Sequence, residues 1–159
     1  MPSAIDPNSF GFLVTDLSRL IRAEMDRRIA DAGLGLTPGE GRTLAHAARA
    51  GMVRQNVLAE QIGIEAMTLS TYIDRLETKG LVERVPDPND RRAKLVRLTE
   101  AASEVLGSVN AAAASIRSDA AASMDAADWA VLLRLLRQAR DNLAELRAAQ
   151  GKAREEAGI

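Results

Sequence analysis

The sequence contains no cysteine, and His46 is the only histidine among its 159 residues. The absence of thiols excludes disulfides, thiolate metal sites, a cysteine nucleophile and redox sensing by thiols. A single imidazole also excludes a metal site built from several histidines of one chain. We therefore expect neither a metal site nor a cofactor in this protein.

Aromatic residues make up only 3% of the chain, and its formal net charge at pH 7 is −1. Any surface for nucleic acid must therefore be a local patch of positive charge. No segment approaches the roughly 20 apolar residues of a membrane-spanning helix, and the N-terminus has no basic segment before an apolar run. We expect a cytoplasmic protein that contacts no membrane. Because paired acid–base groups and a glycine-rich phosphate loop are also missing, we expect no catalytic residues and no enzyme.

Helical spacing of apolar residues dominates the first third of the chain. It predicts a first helix over about residues 9–32, which is followed by glycines that end it. Thr37, Pro38 and Glu40 then form a capping box, which satisfies backbone N–H groups at the start of a second helix. This helix is expected to end before Gly51.

The middle of the chain changes from helical to alternating spacing. Two short helices separated by a turn at Gly63 are predicted between residues 53 and 80. Residues 81–85 and 94–98 favour strands, and the turn-rich residues 86–92 favour a charged loop between them. A helix–turn–helix followed by a hairpin is the layout of a winged helix-turn-helix, so we expect a mainly α fold with a small β-wing.

The last third of the chain is again helical. One helix is predicted to about Ser123, and Asp125 can cap a final helix, whose polar tail after Gly151 is expected to fray. This final helix carries an apolar stripe at the alternating three- and four-residue spacing of helices that pack in pairs. The stripe suits a dimer interface, although it could also pack within one chain; its members are Trp129, Leu132, Leu136, Ala139, Leu143 and Leu146.

The second helix of a helix-turn-helix enters the major groove of DNA. Here, the side opposite its inner apolar stripe carries hydroxyl and guanidinium groups, which can bind bases or phosphates. The candidate contacts are Met67, Thr68, Ser70, Thr71 and Arg75. A solvated helix face is the alternative interpretation.

The hairpin is locally basic. Residues 84–97 contain five basic side chains and two acidic ones in a chain of net charge −1. Arginine is attracted to the negative potential of a narrow minor groove. Asp90, Arg91, Arg92 and Lys94 are therefore candidate DNA-contacting residues, against the alternative of a solvated charged turn.

Three segments resemble the MarR family of bacterial transcriptional regulators: LAEQIGI at residues 58–64, LETKGLVER at residues 76–84 and DPNDRRAKLVRLTE at residues 87–100. The most specific part is DRRAK at residues 90–94, and the resemblance covers roughly residues 10–150. Ala102 and Ser103, together with the long final helix, are most similar to the SlyA branch of the family.

The resemblance implies a single domain over residues 1–159 that forms a homodimer on a pseudo-palindromic operator in double-stranded DNA. Residues 8–33 and 100–150 would supply the dimerisation helices, and residues 53–98 the DNA-binding lobe. In the family's wing motif, Arg92 would reach the minor groove, Asp90 would orient it, and Arg91 would lie beside it.

The sequence departs from the family pattern in three places. Thr71 replaces an arginine on the recognition helix, and Arg54 replaces the usual capping hydroxyl, so that Arg54 with Gln55 and Asn56 could approach a phosphate. Gly41 replaces a tryptophan beside the family's ligand pocket. The space left by the missing side chain would either enlarge the pocket or be filled by neighbours. The resemblance implies a small aromatic or anionic effector in this crevice, lined by Leu13, Leu17, Arg19, Gly41, Ala45 and His46.

These features together predict a dimeric, sequence-specific DNA-binding regulator, with repression as the expected mode. The alternative is a winged-helix module that binds proteins and not DNA. Binding to DNA that weakens steeply with salt would distinguish the two, since phosphate contacts release counterions.

Overall fold

The computed structural model describes residues 6–156, with only the backbone described for Arg91 and residues 154–156. It divides into two compact units, one reaching to Ile116 and the other beginning at Arg117. Within residues 6–156 the chain forms α1 (Phe10–Asp31), α2 (Pro38–Ala50), β1 (Val53–Arg54), α3 (Gln55–Ile62), α4 (Ala66–Thr78), β2 (Val82–Asp87), β3 (Asp90–Leu98), α5 (Ala102–Ala120) and α6 (Ala126–Glu156). The mainly helical fold with a small antiparallel sheet confirms the predicted winged helix-turn-helix class.

The first unit has one hydrophobic core, to which both the helices and the wing contribute. α1 contributes its C-terminal end, and α4 contributes the inner stripe predicted from its spacing. Burying a branched aliphatic side chain is worth about 1.5–3 kcal/mol, so this core holds α4 against the rest of the lobe. Its fully buried members include Ile29, Leu44, Leu58, Leu69, Ile73, Leu76, Val82 and Val96.

The predicted capping box at the start of α2 is present. The Glu40 N–H donates to the Thr37 hydroxyl oxygen at 3.3 Å, and the Thr37 N–H donates to the Glu40 carboxylate at 3.0 Å. The predicted turn between α3 and α4 is also confirmed, because Gly63 adopts a left-handed φ of +73° that a glycine accepts without strain.

The sheet is three-stranded and antiparallel, in the order β1-β3-β2. Its third strand, β1, was not predicted, since two residues are too few to show alternation. The loop predicted over residues 86–92 was wrong: both strands continue into it, and only the two residues between Asp87 and Asp90 form the turn. The β2–β3 ladder is regular up to the pair Pro86–Lys94 and resumes at Asp87–Asp90, so residues 91–93 form a bulge without ladder partners on β2.

The second unit contains the end of α5 and the whole of α6. Asp125 caps α6 as predicted, its carboxylate accepting the Asp128 N–H at 2.8 Å. The tail predicted to fray after Gly151 is helical as far as Glu156. Residues 157–159 of this tail lie outside the described residues. Among the described residues, no helix has the length and hydropathy to cross a membrane.

Candidate nucleic-acid interface

The outer face of α4 is polar and accessible. Its inner residues Leu69, Ile73 and Leu76 have no exposed surface, whereas Met67 at the N-terminal end is 85% exposed. The predicted contacts Thr68, Thr71 and Arg75 are exposed, and Ser70 is half-buried. α4 therefore presents a polar face of about three turns opposite the core.

The hydroxyl groups on this face have defined orientations. Thr71 donates to the carbonyl of Met67 at 3.1 Å, and Thr78 donates to the carbonyl of Asp74 at 2.9 Å. Because the hydroxyl proton of Thr71 is used within the helix, the group offers outward an acceptor oxygen and a methyl. Those groups suit an amino group of adenine or cytosine, or the methyl of thymine.

Arg84 is one of the five basic residues of the hairpin, but its side chain forms ion pairs within the lobe. Its guanidinium lies 2.6 Å from the carboxylates of both Asp74 and Glu77 on α4. Its Nε also donates to the side-chain oxygen of Gln55 at 3.4 Å, and the Arg84 side chain is only 17% exposed. Arg84 therefore joins the wing to α4 and neutralises two carboxylates of this helix.

A second ion pair joins β1 to the hairpin. The Arg54 guanidinium lies 2.7 Å from the buried Asp87 carboxylate and 3.8 Å from Asp90. The hydrogen bond from the Asn89 N–H, followed by that from Arg54, holds the pKa of Asp87 below its ordinary value. Asp90 also accepts the N–H of Arg92 at 3.0 Å. Arg54 and Asp90 thus fix the base of the wing tip and the backbone of Arg92.

Among the described side chains of the wing, fewer cations are unpaired than the sequence count indicated. Arg97 lies 2.7 Å from Glu83 on the neighbouring strand. Arg92 and Lys94 are exposed and form no ion pair with any described residue, while the side chain of Arg91 lies outside the description. Asn56 is also exposed, in the first turn of α3. The free cations among the described side chains of the wing are therefore Arg92 and Lys94, toward its tip.

A buried carboxylate lies behind α4, where the sequence had indicated only a helix cap. Glu40 is 2% exposed; its carboxylate lies 2.6 Å from the Lys79 ammonium and 3.9 Å from the Arg75 guanidinium. Burial raises the pKa of Glu40, but hydrogen bonds from Lys79 and the Thr37 N–H, with the charge of Arg75, outweigh burial and lower it. Glu40 is therefore ionised at neutral pH. Spacing could not reveal this cluster, because its partners lie 35 and 39 positions away along the chain.

The residues predicted to line an effector crevice lie on α1 and α2 and differ in how far they are buried. Gly41 is buried, and a Cβ there would lie 2.7 Å from the Ile29 side chain, so its space is filled by a neighbour. On α1, the predicted Leu13, Leu17 and Arg19 are exposed. On α2, Ala45 is half-buried, one position before the histidine.

His46 lies in a separate crevice of about 260 Å³, lined also by Arg49, Ala50 and Gln61. Burial lowers the pKa of His46, and the positive charges of Arg49, Arg22 and Arg42 lower it further. The imidazole is therefore neutral at pH 7 and lies among cations.

The residues predicted for a dimer interface are solvent-accessible in the single chain. On α6, Leu136, Leu143 and Leu146 are 37%, 58% and 55% exposed, while Trp129, Leu132 and Ala139 are half-buried. α1 also exposes a set of large apolar side chains: Phe10, Phe12, Leu13, Val14, Leu17, Leu20 and Ile21.

Residues 36–94 match the model of the MarR family. The chain is 36% identical to the transcriptional regulator PA3341, with a TM-score of 0.72 over 86% of this chain and 99% of that one. It is similar in fold to a mutant MarR from E.coli complexed with operator DNA, at 23% identity and a TM-score of 0.63 over 81% of this chain and 91% of that one.

A third similar structure is the PcaV regulator from Streptomyces coelicolor in complex with its natural ligand. It is 24% identical, with a TM-score of 0.64 over 87% of this chain and 97% of that one. The match at 36% identity spans nearly all of its counterpart, and the family match covers the helix-turn-helix and the wing tip. The chain therefore belongs to the MarR family of transcriptional regulators.

Proposed function

We propose that the protein is a homodimer that binds a pseudo-palindromic operator, each lobe placing α4 in the major groove and the wing tip at the minor groove. One observation carries this proposal: the polar face of α4 and the exposed cations Arg92 and Lys94 belong to the same unit. The operator-bound MarR of similar fold supports it. A ligand such as operator DNA supports the expectation that the protein acts in the cytoplasm.

The ion pairs inside the lobe explain how this surface keeps its shape. Arg84 links β2 to α4, and Arg54 links β1 to Asp87 at the end of β2. Ordering flexible side chains on binding costs free energy, so a surface already fixed by ion pairs binds at lower cost. Arg54 and Gln55 bond to other residues of the lobe, and their proposed role is to hold the wing and α4 in position. The proposed phosphate or groove contacts are Asn56, Arg91, Arg92 and Lys94.

Dimerisation would be provided by residues 8–33 and 100–150. The exposed apolar side chains of α1 and α6 support this assignment, because surfaces of this kind mark protein–protein contacts. Two lobes at a fixed separation then match two half-sites of DNA. The SlyA-like branch, suggested by Ala102, Ser103 and the long α6, stays a prediction.

Regulation by a small anionic or aromatic ligand is a further part of the proposal. The crevice at His46, with Arg49 and Gln61, supplies cationic and amide groups that suit an anion. The ligand-bound PcaV of similar fold supports ligand control in principle. A ligand would release DNA only through its preference for the form that binds DNA poorly.

The experiment is selection of binding sites from random duplexes, followed by titration of the enriched duplex at several salt concentrations. We expect a two-fold symmetric consensus and a log–log salt slope of about −0.9 for each phosphate contact. Failure to enrich any sequence, together with weak binding that salt does not change, would favour the protein-interaction module instead.

Adding benzoate while following the His46 imidazole resonance then tests the ligand site, because the chain has one histidine.

A further inference from the structure

Glu40 connects the start of α2 to the C-terminal end of α4, the proposed recognition helix. Its Oε2 accepts a hydrogen bond from the Lys79 ammonium at 2.6 Å, and the same ammonium donates to the Gly35 carbonyl at 2.7 Å. Its Oε1 lies 3.9 Å from Nη1 of Arg75. The carboxylate therefore contacts two cations at the C-terminal end of α4, namely Arg75 in its last turn and Lys79 directly after the helix.

A helix cap does not require this negative charge. The Thr37 N–H that Glu40 accepts could be satisfied equally by the amide oxygen of a glutamine, since either residue completes a capping box. Burying a carboxylate is costly unless it is paired with cations. The charge of Glu40 is thus accounted for by its pairing with Lys79 and Arg75.

The two cations differ in how strongly Glu40 holds them. Lys79 is in direct contact, whereas Arg75 is at the outer limit of an ion pair and its side chain remains 56% exposed. A guanidinium held in this way keeps donors available for a base edge. Its net charge toward the surrounding phosphates is nevertheless reduced by the carboxylate behind it.

We propose that Glu40 is a positioning residue for sequence readout, which restrains Arg75 so that it contributes to specific binding and little to nonspecific binding. This inference depends on the proposed DNA-binding function. Nonspecific binding is almost entirely attraction between cations and phosphates, whereas base contacts require a fixed geometry. Neutralising Glu40 therefore strengthens nonspecific binding and weakens the base contacts.

The test compares affinities for the selected operator and for a random duplex at the same salt concentration. Glu40→Gln is expected to raise random-duplex affinity about fivefold through an added phosphate contact. Operator affinity should not rise, so the ratio of operator affinity to random-duplex affinity falls. Asp6→Asn removes the same charge from an exposed side chain outside the residues assigned to dimerisation and to DNA binding, and should leave the ratio unchanged.

The effect must depend on Arg75. In an Arg75→Ala background, Glu40→Gln should change the ratio by less than about twofold, which is the mark of coupled residues. A purely structural role would instead lower both affinities together with the melting temperature, and would persist in the Arg75→Ala background. Either of those results would overturn the proposal.

A second comparison does not depend on the folding of the Glu40 variant. Arg75→Ala alone is expected to lower operator affinity while leaving random-duplex affinity within about twofold, whereas Arg92→Ala lowers both. Equal losses on both duplexes for Arg75→Ala would overturn the proposal. The DNA-binding function itself is judged separately, by whether the unmodified protein prefers its operator to a random duplex.

Discussion

Arg92 and Arg97 lie on the same strand but differ in what their charges can do. Arg92, near the tip, is exposed and pairs with no carboxylate of the described residues, while Arg97, toward the base, is 2.7 Å from Glu83. A guanidinium already paired with a carboxylate contributes little net attraction to phosphates. The charge that the wing can offer to DNA is therefore concentrated at its tip.

Arg92→Ala is expected to weaken operator binding by about 1–3 kcal/mol per half-site, because a groove or phosphate contact is lost. Arg97→Ala is the matched control, and should change operator affinity much less. Fluorescence anisotropy at fixed salt measures both affinities, and thermal unfolding should show both variants folded. Equal losses for the two arginines would contradict the assignment of the tip as the contact.

His46 is expected to make folding stability depend on pH in mild acid. Burial and the Arg49, Arg22 and Arg42 charges lower its pKa from the ordinary 6.5. As the pH falls below about 6.5, the unfolded chain takes up the proton first, so the free energy of unfolding decreases until the folded state is protonated too. Above about pH 7 this contribution is constant.

The imidazole resonance of the single histidine reports its pKa directly, and urea unfolding at several pH values reports the stability. His46→Gln should remove the part of the pH dependence that begins as the pH falls below about 6.5. A histidine that titrates at or above 6.5 in the folded protein would contradict the prediction.

At the scale of elements, α2 and α4 pack closely because Gly39 has no side chain. A Cβ at Gly39 would lie 2.3 Å from the Tyr72 ring on α4. Alanine there must displace the ring or separate the helices, so Gly39→Ala is expected to reduce stability by about 1–3 kcal/mol.

Gly107 is the matched control for this substitution. It lies within α5, and a Cβ there meets no atom within 4 Å. Gly107→Ala should therefore stabilise the protein by about 0.5–1 kcal/mol, as alanine does in a helix interior. Urea unfolding of both variants checks the opposite signs; a neutral Gly39→Ala would show that Tyr72 moves away without cost.

The helices, their caps and the paired parts of the wing strands were predictable because each depends on residues close in sequence. Spacing indicated the inner stripe of α4, and the capping box marked the start of α2. The ion pairs could not be predicted in this way, since Arg54 and Asp87 are 33 positions apart and meet only once the sheet forms. For the same reason, Arg84 was counted as a free cation although the fold pairs it with α4.

For the whole molecule, the main feature is apolar surface that a single chain leaves exposed. Leu143 is 58% exposed on α6, and Phe10 is 58% exposed on α1. Soluble monomers rarely keep extended apolar surface in water, so a second copy of the chain is its expected partner.

Leu136→Glu and Leu143→Glu are each expected to prevent dimerisation. An uncompensated carboxylate buried in an interface costs about 3–5 kcal/mol, and a symmetric dimer buries two. Gln138→Glu adds the same charge on α6 outside the predicted stripe and should leave the dimer intact. Sedimentation velocity measures the oligomeric state, and operator affinity should fall only when the dimer is lost. A folded, monomeric unmodified protein would contradict the prediction.

Because of the bulge in the wing, the distance to which the hairpin tip extends does not depend on the pairing of β2 with β3 below it. Residues 91–93 have no ladder partner on β2, and the ladder is regular below them and closed above them by the Asp87–Asp90 pair. Adding or removing a residue in such a segment does not shift the register of the strands beneath it. The distance to which the tip extends is therefore set by the bulge, while the pairing that folds the lobe is set by the strands below it.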